Sequence, residues 1–147
     1  MARIEKSIVI NAPPEKVFAL SADVERMPEW MDTVKEVKVT SKERTGVGAT
    51  SHWVVEAGGT RAEFDSETTE WVENEKIAWR TTSGNITMFG SGTLKPVERG
   101  TEYTWVMDYE LPYSILGKII DKLKVSKDFE KDMARALQNL KNLLEKK

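Results

Sequence analysis

The apolar positions along this chain change their spacing twice, and the changes divide it into elements. Over Arg3–Asn11 they alternate, with Ile4, Ile8 and Ile10 on one side, which predicts a strand. Asn11-Ala12-Pro13-Pro14 then opens a helix carrying Val17, Phe18 and Leu20. Asn11 can cap it, and proline is tolerated in the first turn, where N–H groups lack an intrahelical partner. Asp23 can cap a second short helix, disturbed by Pro28 just before Trp30. Period two then returns, with strands predicted over Val34–Glu43, Ala49–Ala57, Thr60–Val72, Lys76–Thr82, Ile86–Val97 and Thr101–Leu111. Gly46, Gly48, the Gly58-Gly59 pair, Ser83-Gly84-Asn85 and Glu98-Arg99-Gly100 mark the turns between them. Links this short make neighbours in sequence pair antiparallel.

The last strand has the clearest alternation. Tyr103, Trp105, Met107, Tyr109 and Leu111 share one face, opposite Thr104, Val106, Asp108 and Glu110. That pattern means one face buried and one wet. The strand before it puts Ile86, Met88, Gly90, Gly92 and Leu94 inward, and the one before that Ile77, Trp79 and Thr81. From Pro112 and Ser114 the spacing becomes helical: Phe129, Met133, Leu137, Leu140 and Leu144 form one stripe. Ile115, Leu116, Ile119, Ile120 and Leu123 widen it, and Lys124–Asp128 interrupts it, where a bend can form. These elements predict an α+β domain. A curved antiparallel sheet of about seven strands wraps one long C-terminal helix, with two short helices after the first strand.

Composition narrows the function. The 147 residues suit a single domain with a sizeable core. Lys+Arg number 22 against Asp+Glu 24, which argues against a nucleic-acid binder. No stretch approaches the ~20 apolar residues of a membrane span, and Met1–Lys6 lacks the apolar run of a signal peptide. A cytoplasmic protein is the simplest expectation. Zero cysteines exclude disulfides and thiolate chemistry. His52 is the sole histidine, so no histidine cluster can bind metal, and its strand position predicts a partly exposed side chain. Glu63, Asp65 and Glu67 fall on the face opposite Ala62, Phe64, Ser66 and Thr68, as expected of a solvated charged face, with Arg61 and Arg80 as cross-strand partners. No nucleotide, zinc or calcium motif occurs, and no cofactor is expected.

Several stretches resemble the START-like (SRPBCC) superfamily with its helix-grip fold. They are Ile10–Phe18, with its Asn-Ala-Pro-Pro-Glu-Lys-Val-Phe run, Asp23–Trp30, Glu75–Arg80, Gly92–Pro96 and Gly100–Tyr103. The likeness spans essentially the whole chain, 1–147, as one domain, and falls closest to the polyketide cyclase/dehydrase-like branch. It implies binding or transport of a small hydrophobic ligand, such as a lipid, quinone or polyketide-like compound. The alternatives are a cofactor-independent cyclase/dehydrase and a protein-binding module like the chaperone activators. Of the inward polar groups, Ser66, Thr68, Thr81 and Tyr109 form no recognisable catalytic set, so the balance leans away from an enzyme. The expected partner is a small apolar ligand, the chain acting as monomer or weak dimer.

The pocket is expected between sheet and final helix. Its expected ligand-binding residues are Trp30, Trp53, Phe64, Ser66, Trp79, Met88, Gly90, Trp105, Met107, Tyr109, Leu116, Ile120, Phe129 and Met133. The small inward residues Ala57, Ser66, Thr81, Gly90 and Gly92 either leave volume for a ligand or, at the glycines, let the sheet bend. The resemblance implies a pocket mouth at Met27–Met31, Gly58-Gly59 and Pro112–Leu123, and the last of these is expected to act as a mobile lid.

Overall fold

The computed structural model describes residues 2–57, 60–110 and 122–146. Within them lie strands β1 (Ala2–Ile10), β2 (Val34–Val39), β3 (Thr50–Ala57), β4 (Thr60–Val72), β5 (Lys76–Gly84), β6 (Thr87–Val97) and β7 (Gly100–Glu110). Helix α1 (Pro14–Ser21) and a 3-10 helix (Val24–Glu29) separate β1 from β2, and α2 (Lys122–Glu145) follows β7. One antiparallel sheet runs in the order β1-β7-β6-β5-β4-β3-β2. The meander from β2 to β7 is thus completed by the first strand pairing with the last, Ile4 opposite Met107. The sheet curls around α2 as a half-barrel, which is the helix-grip arrangement.

The alternation of β7 becomes burial: Tyr103 and Tyr109 are buried and Trp105 and Met107 half-buried on the concave face. The stripe on α2 meets that face. Phe129, Met133, Ala136, Leu137 and Leu140 are buried and Leu144 is half-buried. Fully burying large side chains of this kind stabilises by ~1.5–3 kcal/mol each, which makes α2 part of the core rather than a cover. The interior forms two apolar clusters. One gathers Val17, Phe18, Leu20, Trp30, Leu94, Tyr103 and the C-terminal half of α2. The other gathers Ile4, Phe64, Ile86, Met88, Tyr109 and the N-terminal half of α2, from Val125 to Met133.

Polar ties fix α2 on this core. Arg135 donates to both carboxylate oxygens of Asp32, at 2.6 and 2.8 Å, and to Asp132 at 2.8 Å. Asn139 donates to the Trp30 carbonyl at 3.2 Å and Lys141 to the Val9 carbonyl at 2.8 Å. These bonds hold the segment after the 3-10 helix, and the end of β1, against the helix.

Some boundaries differ from the sequence reading. Asn11 does not cap α1; Pro13 stands at that position in extended conformation, and the Asn11 N–H donates to Glu145 at 2.8 Å. A residue preceding proline disfavours the α region, so Pro14 forces the helix to begin at itself. β2 ends at Val39 rather than Glu43, because Gly46 and Gly48 take positive φ in a loop whose first residues keep contact with Thr50, the Thr40 N–H donating to its carbonyl and the Ser41 hydroxyl accepting from its N–H. β5 runs on through Ser83-Gly84, where a turn was expected. Gly84 (φ +120) lies so close to the β4 backbone at Glu63 and Phe64 that no Cβ would fit. α2 runs unbroken through Lys124–Asp128. The Gly58-Gly59 turn, Leu111 and the apolar segment 112–121, expected to begin the final helix and to form the lid, lie outside the described residues.

Candidate ligand cavity

A cavity of about 170 Å3 opens between the concave sheet, α2 and the α1 to 3-10 segment, and it draws its wall from both apolar clusters. All five tryptophans of the chain border it: Trp30, Trp53, Trp71, Trp79 and Trp105. Each is set by a local feature. Trp53 on β3 stacks on Phe64 across the strand pair, centroids 6.1 Å apart, and donates to Ser66 Oγ at 2.8 Å. Trp105 on β7 meets Trp30 edge-on at 6.2 Å. Trp30 is 1% exposed, and its Nε1 is sealed from solvent without a hydrogen-bond partner among the described residues.

Of the residues expected from sequence, Trp30, Trp53, Phe64, Ser66, Trp79, Met88, Trp105, Met107, Phe129 and Met133 border the cavity. Gly90 and Tyr109 are buried behind the wall, Tyr109 packed edge-on against Phe129 at 5.0 Å. Leu116 and Ile120 lie outside the described residues. Trp71 was missed, and the reason is a bulge. The β4–β5 register shifts between Thr68 and Glu70, so the strand's inward parity changes from even to odd numbers. Trp71 thereby turns inward against Phe18, centroids 5.1 Å apart. Phe18, Met27 and Met31 also join the wall. Apolar spacing in α1 marks Phe18 as buried, but not as part of a pocket.

The space beside Gly90 and Gly92 is not open volume. A Cβ at Gly90 would fall inside 3.0 Å of three Trp79 indole atoms, and one at Gly92 inside 3.0 Å of the Tyr103 hydroxyl. Large rings from the neighbouring strands occupy both spaces. The open wall instead comes from Ala57, Ala62, Ser51 and Ser66. Thr81 spends its hydroxyl internally, accepting from the Met88 N–H at 3.0 Å.

Polar groups on the wall are few. Ser51 and Ser66 face each other across β3 and β4. Asp132 is held by Arg135 at 2.8 Å, and Arg44 pairs with Glu25 beside the 3-10 helix. Burial alone pushes the Tyr103 hydroxyl well above the usual phenol range, so it stays protonated. On the convex face, His52 sits between Asp65, 2.8 Å from Nδ1, and Glu63, 3.0 Å from Nε2. Those two carboxylates hold His52 above its ordinary value; Asp65 is in turn lowered by a 2.6 Å hydrogen bond from Ser83 and by His52. His52 is therefore partly exposed and faces away from the cavity. Among the described residues, no group of three His, Cys, Asp or Glu is placed to hold a metal ion, and no helix is long and apolar enough to cross a membrane.

A half-barrel gripping a helix around an apolar cavity defines a START-like domain. The chain belongs to the polyketide cyclase/dehydrase and lipid transport family, whose model matches residues 1–145. Solved structures agree in shape. A protein from Thermus thermophilus is 26% identical, with a TM-score of 0.82 over 97% of both chains. A START superfamily protein from Mycobacterium smegmatis is 17% identical, with a TM-score of 0.77 over 97% of both chains. The Zhui aromatase/cyclase from Streptomyces sp. R1128 is 15% identical, with a TM-score of 0.77 over 98% of this chain and 93% of that one. The fold and the family thus define a domain for hydrophobic ligands.

Proposed function

We propose that the protein binds and carries one small hydrophobic molecule, a lipid, quinone or polyketide-like compound, in the cavity between sheet and α2. The observation that carries this reading is an apolar cavity of about 170 Å3 bordered by every tryptophan of the chain. An apolar guest would remove that wall from water, which is favourable by roughly 25 cal/mol per Å2 of apolar surface buried. Met88, Met107 and Met133 supply flexible, polarizable wall that adapts to the shape of a guest. Ten of the fourteen residues expected from sequence would touch that guest.

A second reading, a cyclase-type enzyme, is favoured by the likeness to the Zhui aromatase/cyclase and by one carboxylate on the wall, Asp132. Its ion pair with Arg135 suits a fixed anion better than a group that trades protons, so carriage is the stronger reading.

Native mass spectrometry of the chain purified from its own cells tests the proposal. The expected result is a species heavier by one small molecule, which organic extraction removes. A bare chain in every preparation would count against carriage. A stable complex with a second polypeptide would favour the protein-binding module instead.

A further inference from the structure

One polar group of the cavity wall is the hydroxyl of Tyr103. Tyr103 is 7% exposed and belongs to the cluster of α1, Trp30 and the C-terminal half of α2. Its hydroxyl stands over Gly92, itself a wall residue, in the space that a Cβ would fill. No described residue hydrogen-bonds that hydroxyl; burial is the sole influence acting on it. Three other polar groups on the wall are committed: Ser66 accepts from Trp53, and Asp132 and Arg44 are ion-paired.

Among the described residues Trp30 Nε1 is the one unpartnered side-chain atom sealed from solvent, so the Tyr103 hydroxyl opens onto the cavity, and a guest that displaces water there must replace its hydrogen bond. Phenylalanine would line an apolar cavity equally well and would avoid that requirement. The chain instead carries a tyrosine, with a glycine opposite it that leaves room for the oxygen. The group that satisfies the hydroxyl must therefore come from the cavity.

We propose that the Tyr103 hydroxyl is the polar anchor of the site, and that the ligand it selects presents a carbonyl or similar acceptor oxygen on an apolar skeleton. This rests on the ligand-binding reading above and narrows it, separating oxygenated guests from pure hydrocarbons. The hydroxyl keeps its proton across the physiological range, so it donates and does not act as a base. Selectivity of this kind follows when a site is built to hydrogen-bond one group, because a guest lacking that group leaves the donor unpaired.

The test uses a matched pair of probes, tetralin and α-tetralone, titrated calorimetrically into the protein and into Tyr103→Phe. The substitution is expected to weaken α-tetralone about fivefold, the range of one net neutral hydrogen bond, and to leave tetralin within about twofold. The carbonyl stretch of bound α-tetralone should lie at lower frequency in the parent than in Tyr103→Phe. The ligand-free variant should unfold at the same urea concentration as the parent or a higher one, because the hydroxyl it removes has no partner among the described residues. If both probes bind and the substitution moves neither affinity nor carbonyl frequency, water satisfies Tyr103 and the anchor is refuted, while ligand binding stands. If ligand-free Tyr103→Phe is clearly less stable, the hydroxyl is a structural tie and the anchor is again refuted. If neither probe binds the parent, both the anchor and the carrier reading fail for guests of this size.

Discussion

Gly92 and Tyr103 are coupled by one shared space, and a double-mutant cycle can measure that coupling. Gly92→Ala places a Cβ inside 3.0 Å of the Tyr103 hydroxyl, 3.0 Å from Cζ and 3.2 Å from Cε2. Two effects oppose each other. Replacing a strand glycine with alanine stabilises by ~0.5–1 kcal/mol when the backbone allows it. Gly92 is not among the glycines with positive φ, so the backbone allows it. Against this, forcing extra volume into a packed interior costs about 1–3 kcal/mol. The net expectation in the parent is a loss of roughly 0.5–2 kcal/mol. In the Tyr103→Phe background the nearest approach relaxes to the ring carbons at 3.0 and 3.2 Å, contacts that a small shift relieves. There the glycine-to-alanine gain should dominate, leaving Gly92→Ala neutral or stabilising. The interaction energy should then exceed ~1 kcal/mol, well above the ~0.3–0.5 kcal/mol scatter of independent sites. Urea unfolding of the four proteins reads it directly from midpoints at constant slope. Additive effects would show that the hydroxyl does not occupy the space above Gly92, and the placement of Tyr103 would be wrong.

Two further outcomes are expected. By NMR titration, His52 should titrate above the ordinary value of 6.5, because Asp65 and Glu63 stabilise its charged form. A raised folded-state value contributes stability that is fully present below the unfolded value and is lost as pH rises through the folded one. The stability difference between the parent and His52→Ala should therefore be larger near about pH 5.5 than near about pH 9. A difference that grows with pH would contradict the geometry of the convex face. Separately, a chain ended after Asp128 loses Phe129, Met133, Ala136, Leu137 and Leu140, all buried. At ~1.5–3 kcal/mol for each large side chain, that removes most of the ~5–15 kcal/mol of a typical domain. Circular dichroism should show no cooperative melt, and a melt near the parent temperature would refute the role given to α2.

Much of this molecule was legible in the chain, for identifiable reasons. Strict alternation through Tyr103–Tyr109 gave the inward face of β7, and the four-four-three-four spacing from Phe129 to Leu144 gave the gripping helix. These signals are strong because each residue's burial is decided by one periodicity. Trp71 was hidden because a bulge breaks the period of β4, and bulges leave no reliable mark on a single sequence. The contribution of α1 to the wall was equally hidden, since an apolar side chain reads the same whether it fills a core or borders a void, whereas Met27 and Met31 lie where the mouth was expected. Gly90 and Gly92 were legible in part. Their small size was visible, but not that Trp79 and Tyr103 reach across from neighbouring strands to cover them. The anchor role of Tyr103 depends on the absence of a partner among the described residues, which no local pattern encodes.

The central claim is that the cavity bordered by the five tryptophans receives an apolar guest. A crystal of the protein soaked with α-bromonaphthalene tests it most directly, because bromine marks its own position by anomalous scattering. The expected result is one strong peak inside the cavity, among Trp79, Trp105, Met107 and Phe129. A cavity that stays empty at saturating probe, or bromine found solely on the outer surface, would contradict the claim.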